Sequence, residues 1–172
     1  LEMHGVYVME VDPKPKTTYS SIQKTRTFHP STNDSVFLLS QFSKNIEEAC
    51  RKARHYSLVA KKISFFLKNR DFKYTGYSSD LETPTNAPEI PMSLLHTNFG
   101  KMFTKGVQYR TTGVTLHDLV SVSAVQGDLF GKTAENKRFE TIHKQLDCLE
   151  EKLGKRVVYL ASTHKARNHK EG

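Results

Sequence analysis

Residues 61–77, KKISFFLKNRDFKYTGY, decide the architecture. Two runs rich in aromatic and aliphatic residues meet at the polar break Asn69-Arg70-Asp71, which is the pattern of a β-hairpin. In the first run Val59, Ile63, Phe65 and Leu67 share one parity, while Lys62, Ser64, Phe66 and Lys68 share the other. Side chains alternate across a strand, so one face of the sheet seeks a core. The other shows lysine, hydroxyl and aromatic groups to solvent, a mixture that suits a polyanionic partner.

Working outward, Leu58–Lys68 and Phe72–Leu81 form the two arms of the hairpin. Upstream, Tyr19–Phe28 (YSSIQKTRTF) reads as a strand whose alternation is blurred at Lys24 and Arg26. Pro30-Ser-Thr-Asn-Asp34 offers N-cap residues for a helix whose apolar positions are Leu39, Phe42, Ile46, Ala49 and Ala53, ending near Tyr56. Downstream, Thr83–Pro88 is a proline-rich loop. Pro91 suits the first turn of a second helix with Leu95, Phe99, Met102 and Phe103 on its apolar side and Gly106 at its end. Val107–Leu116 returns as a strand. The order β-α-β-β-α-β implies an α+β domain: a four-stranded antiparallel sheet, two helices on one face, the other face open.

The flanks differ. Asp12-Pro-Lys-Pro-Lys16 is a stiff extended linker, because each proline fixes φ and biases its predecessor away from helix. Gly5–Val11 reads as a short strand from a preceding domain, and a chain beginning at Leu1 suggests a fragment or a processed product. Val120–Gly131 has no clear period. Phe139, Ile142, Leu146, Leu149 and Leu153 then recur by threes and fours, a narrow seam that packs on a neighbour or serves a partner protein or self-association, with Gly154 as C-cap. Arg156–Ala161 reads as a short strand.

With 172 residues the chain holds one sizeable domain plus extensions. Hydrophobic content of 37% and a mean hydropathy of −0.56 point to a large polar fraction. No apolar run reaches the roughly 18 residues of a membrane span, and Leu1–Val11 lacks the pattern of a signal peptide. The net charge of +8 is localised. Between Lys14 and Arg110, sixteen Lys and Arg face seven Asp and Glu; the rest of the chain carries ten against eleven. Such a segment favours phosphate backbones through counterion release. Cys50 and Cys148 share no CxxC spacing, which fits a reduced, cytoplasmic protein with Cys50 as a small core residue. The histidines, including His164 and His169 in the basic tail, form no metal-ligand spacing.

At this level a resemblance becomes specific. TYSSIQKTRTFHP, KKISFFLKNRDFKYTGY and YRTTGVTL resemble the little-finger domain of Y-family translesion DNA polymerases, nearest the bacterial DNA polymerase IV and UmuC-like branches. The likeness runs from about Gly5 to Leu119. It implies four regions: the end of a thumb domain and its tether at 1–18, the little finger at 19–119, a clamp-binding segment at 120–133, and a C-terminal helix, short strand and basic tail at 134–172. The palm domain, with its Mg²⁺-binding carboxylates, would lie upstream. Nothing here resembles the family's Ser-x-Asp-Glu motif, and turn chemistry accounts for Asp71 and Asp80. The resemblance therefore implies no catalytic residue, metal or cofactor within this chain, which should not polymerise DNA alone. It implies that the open sheet lies against primer-template duplex DNA and touches mainly phosphates. The mapped positions are Ser20, Ser21, Lys24, Thr25 and Arg26 on the first strand, Lys62, Ser64 and Lys68 on the second with Arg70 at the turn, and Arg110, Thr111, Thr112 and Gly113 on the last. Phe66 would cover an edge or meet the linker.

Gln126-Gly-Asp-Leu-Phe130 is similar to the bacterial sliding-clamp peptide, roughly Gln-Leu-(Ser/Asp)-Leu-Phe. It implies that Leu129 and Phe130 enter an apolar pocket while Gln126 and Asp128 add polar contacts. Gly127 departs from the usual leucine. Two other readings stand beside this one. The first is a non-catalytic polymerase-like adaptor bridging clamp and partner proteins. The second is a general nucleic-acid module with an incidental QGDLF.

Overall fold

The computed structural model describes residues 19–124, 132–154 and 156–168, with side chains in the second stretch from Arg138 onward. Helix α1, Ser35–His55, begins where Asp34 Oδ1 accepts hydrogen bonds from the backbone N–H groups of Val36 (2.9 Å) and Phe37 (3.2 Å). That cap satisfies two donors the first turn cannot pair internally. Leu38, Phe42, Ile46, Ala49 and Ala53 recur along one stripe and are fully buried. Lys52, Arg54 and His55 occupy the last turn, where cations complement the helix dipole. Helix α2, Glu89–Met102, takes Pro91 into its first turn, as expected. It stops at Met102, not at Gly106: Phe103 is already extended, and Gly106 (φ +88°) serves the turn that follows.

Four strands form one antiparallel sheet in the order β1-β4-β2-β3: β1 Ser21–Thr32, β2 Leu58–Asn69, β3 Tyr74–Thr85 and β4 Tyr109–His117. Strand β3 extends through Thr83 and Thr85, which the sequence places in a loop. A two-residue strand β5, Val120–Ser121, pairs with the start of β2. Ile22, Ile63, Phe65, Leu67, Val114 and Leu116 project to one side of the sheet and form a single core with α1 and α2. Both helices therefore lie on one face.

The pairing carries irregularities. Between Ala60 and Lys62 the β2–β3 register slips, and Ala60 and Val59, the latter paired with Val120, are both buried. Between Lys68 and Asn69 the pairing with β4 jumps from Thr111 to Tyr109, which turns Tyr109 inward and leaves Arg110 as the extra residue. Cys50 sits in this core, where burial pushes its thiol up to about 12.

The C-terminal region packs differently from the seam's promise. Helix α3, Lys132–Leu153, is followed by Gly154 at φ +64°, the expected left-handed terminator. Arg156–Leu160 is irregular rather than a strand, and a single 3₁₀ turn leads into the short α4, His164–Asn168. α3 docks through polar side chains. Arg54 holds both oxygens of Asp147 (2.6 and 3.0 Å), Arg51 pairs with Glu150, and His143 Nε2 lies 2.7 Å from Glu89. Phe139 and Leu146 are half-buried, whereas Ile142, Leu149 and Leu153 remain exposed. The terminal segment latches onto α1 through buried Glu47, which accepts from Arg156 (2.7 Å), Arg167 (3.2 Å) and the Leu160 N–H (3.1 Å).

Candidate nucleic-acid interface

The strand registers lay out the face opposite the helices as four rows. Ser21, His117, Lys62 and Asp80 form the first, and Gln23, Thr115, Ser64 and Ser78 the second. Thr25, Gly113, Phe66 and Gly76 form the third, and Thr27, Thr111, Lys68 and Tyr74 the last. The outer strands show Ser21, Gln23, Thr25, Thr27, Tyr74, Gly76 and Ser78 exposed, so this surface is open among the described residues. It is mostly hydroxyl and small groups, with one carboxylate, Asp80, which lies 3.7 Å from Lys62. Ser64 Oγ meets His117 Nε2 at 2.8 Å, and the Thr27 and Thr111 hydroxyls meet at 3.0 Å. These cross-strand bonds fix hydroxyl orientation while leaving lone pairs toward solvent.

The sites expected from sequence divide accordingly. Ser21, Thr25, Lys62, Ser64, Lys68 and Thr111 share the open face, Arg110 lies beside it, and Ser20 and Arg70 are exposed at its ends. Lys24 and Arg26 do not belong to it, because their parity with Ile22 and Phe28 turns them to the helix side of the edge strand. Lys24 lines a cleft of about 800 Å³ between α1 and α3; Arg26 lines a smaller one with Phe37, Lys44 and Arg167. Thr112 is fully buried on the helix side, where Asn45 Nδ2 donates to its Oγ1 (3.1 Å) and carbonyl (3.3 Å). Gly113 is buried under Phe66, whose ring lies across it so closely that a Cβ there would stand 2.1 Å from Cε1 and Cζ. Phe66 thus caps the middle of the sheet instead of an edge.

Positive charge is distributed more unevenly than composition implies. Arg51 and Arg54 are committed to α3 carboxylates. Near the open face, cations gather at the hairpin end. Lys68 Nζ lies 4.7 Å from the Phe72 ring centroid and 4.9 Å from that of Tyr74, and the Arg110 guanidinium lies 4.8 Å from Phe72. The Tyr74 ring in turn meets Phe66 at 5.6 Å. The turn itself is organised by Asn69, whose Oδ1 accepts from the Lys73 N–H (2.9 Å) and whose carbonyl accepts from the Phe72 N–H (3.2 Å).

Residues 19–129 match the profile of the impB/mucB/samB family C-terminal domain. The chain belongs to that family. Among solved structures, the post-insertion binary complex of Dbh DNA polymerase is similar at 19% identity and a TM-score of 0.48, covering 59% of this chain and 29% of that one. DinB from Sulfolobus solfataricus is similar at 19% identity and a TM-score of 0.47, with the same coverage of 59% and 29%. The little finger domain of PolIV, from its complex with the beta-clamp processivity factor, gives 16% identity and a TM-score of 0.44, covering 64% of this chain and 98% of that one. The chain thus spans under a third of the length of the Dbh polymerase. No curated protein matches it.

Within this impB/mucB/samB domain, sequence reasoning missed Gln23 and Thr27, which alternate with Ser21 and Thr25, and the aromatic pair Phe72 and Tyr74. The alternation is a signal in the sequence; Phe72 and Tyr74 fall in the expected second arm, where nothing in the spacing shows that they stay exposed. Tether residues 1–18 and the clamp-like residues Gln126, Asp128, Leu129 and Phe130 lie outside the described residues. No group of three or more His, Cys, Asp or Glu is placed to hold a metal among the described residues. No described helix is long and apolar enough to cross a membrane.

Proposed function

We propose that this chain is the DNA-gripping, clamp-recruited C-terminal part of a translesion DNA polymerase. It would comprise tether (1–18), little finger (19–119), clamp-binding segment (120–133) and C-terminal extension (134–172). The observation carrying this reading is the open, hydroxyl-lined sheet whose single carboxylate is paired with Lys62 and whose other cations gather at the hairpin end. Small hydroxyl side chains let backbone and side-chain donors approach phosphate, and such contacts position a duplex without reading its sequence. That is what an enzyme copying any template needs. Nucleotidyl transfer belongs to a palm outside this chain, and QGDLF supplies clamp recruitment through Leu129 and Phe130, flanked by Gln126 and Asp128. A modest grip joined to a modest peptide gives avidity without a tight contact of either kind.

The test is duplex binding across ionic strength. Lys68→Ala and Arg110→Ala should weaken binding equally for unrelated sequences, each lowering the salt slope by about 1. Arg26→Ala, on the helix side, should change it little. Losses confined to particular sequences would overturn backbone gripping. Separately, Leu129→Ala with Phe130→Ala should abolish binding to a bacterial sliding clamp, and unchanged affinity would remove the clamp assignment.

A further inference from the structure

The hairpin end holds two exposed aromatic rings, Phe72 and Tyr74, that phosphate gripping does not explain. Phe72 is 59% exposed and Tyr74 62% exposed. Two rings so open gain little from folding, since the burial that normally repays an aromatic side chain is absent. Phe72 is also held at φ +64°, a left-handed conformation that glycine or asparagine adopts at lower cost than a bulky residue. The turn's hydrogen bonds come from Asn69 and the backbone, so the phenyl group contributes nothing to its geometry. An exposed ring on a strained residue has its use outside the folded chain.

What surrounds the rings identifies the use. Lys68 sits within 5 Å of both ring centroids and Arg110 within 5 Å of Phe72. Arg70 and Lys73 are exposed in the same turn against one carboxylate, Asp71. A protein-binding hot spot of this kind would be an apolar patch with charge at its rim; here the cations lie on the rings themselves. Aromatic faces beside cations match a nucleotide, whose base stacks while its phosphate meets the charge.

We propose that Phe72 and Tyr74 form a stacking platform for an unpaired nucleobase, with Lys68 and Arg110 holding the adjacent phosphate. The site engages the single-stranded extension at a duplex junction. The proposal rests on the duplex reading above, because the platform lies at the end of the same open face: Tyr74 and Lys68 occupy its last row. A strand leaving a duplex laid on this face would pass over the hairpin. Stacking is indifferent to base identity, so the platform adds affinity for single-stranded DNA without adding sequence preference.

The experiment compares a blunt duplex with the same duplex carrying a short thymine extension, using the whole chain at low salt. The extended duplex should bind about tenfold more tightly, the value of one base stack. Phe72→Leu should erase most of that preference and leave blunt-duplex affinity unchanged, because Phe72 lies in the turn outside the four rows of the open face. The chain has no tryptophan, so Phe72→Trp creates a single reporter whose fluorescence should be quenched by the extended duplex and not by the blunt one. Equal affinity for both DNAs, an equal loss for both in the Phe72→Leu variant, or an unquenched tryptophan would overturn the platform and leave the rings to a protein partner. Failure to bind either DNA would overturn the duplex reading itself, so the two failures are distinct.

Discussion

Replacing Gly113 by alanine should expose how the middle of the open face is built. In an ordinary central-strand position the change from glycine to alanine stabilises, because glycine loses more backbone freedom on folding, by about 0.5–1 kcal/mol. At Gly113 the three nearest heavy atoms to an added Cβ are all ring carbons of Phe66, two at 2.1 Å and one at 2.9 Å. No carbon tolerates such a distance, so the Phe66 ring must rotate off its place between β4 and Tyr74. The cost of crowding an otherwise filled site is about 1–3 kcal/mol, which exceeds the entropic gain, and a net loss of about 1–2 kcal/mol is expected. For a domain of this size that is a fall in Tm of several degrees. In a Phe66→Ala background the clash is gone, and the same Gly113→Ala change should become neutral or stabilising. The assay is urea unfolding followed by circular dichroism for wild type, both single variants and the double variant, with midpoints compared at constant slope. An equal effect of Gly113→Ala in both backgrounds would refute the claim that the ring is what makes glycine necessary.

Two further outcomes concern stability. Asn45→Ala should destabilise by about 1–3 kcal/mol, because it strips the buried Thr112 hydroxyl and Gln41 of their partners; a change below 0.5 kcal/mol on the same denaturation curves would contradict that network. On acidification, Asp34 and Glu89 should both contribute to unfolding. The Lys165 ammonium, opposed by burial, lowers Asp34, and for Glu89 burial, the largest single effect, acts upward but is outweighed by the His143 hydrogen bond together with a backbone hydrogen bond and the charges of His143 and Arg54. A carboxylate held below its unfolded value stabilises fully above that value and loses the effect as pH falls through the folded one. Stability should therefore decline below the ordinary carboxylate range, about pH 4, and Asp34→Asn with Glu89→Gln should flatten that decline; an unchanged pH slope would remove both groups from the account.

The element order and the apolar stripes were legible because they depend on local periodicity. Leu38, Phe42 and Ile46 repeat at the helical period, and Ile63, Phe65 and Leu67 at the strand period, whatever else the chain does. The open face of β2 was equally legible. Three of the expected positions lie off the open face for one reason. Lys24, Arg26 and Thr112 look like surface groups by type, but residue type does not say which side of a strand a position takes. Thr112 is inside because Asn45 reaches across from α1 to satisfy it, a partner 67 residues away. Ile142, Leu149 and Leu153 differ in the opposite sense, remaining exposed. Their spacing promised burial, yet α3 is held by Arg51, Arg54 and Glu89 meeting Glu150, Asp147 and His143.

The chain alone determined that a β-α-β-β-α-β unit forms, that its sheet buries one side, and that a hydroxyl-rich side is left over. These follow from spacing along the polymer, since hydrophobic burial and backbone geometry act on neighbours a few residues apart. Only the folded molecule decided where the charge goes and which residues share a row. The extra residue at Arg110 turns Tyr109 inward, and distant carboxylates on α3 claim the arginines of α1. Register and ion pairing are set by contacts between segments far apart in the chain, and a one-residue slip moves every side chain beyond it to the other side of the sheet.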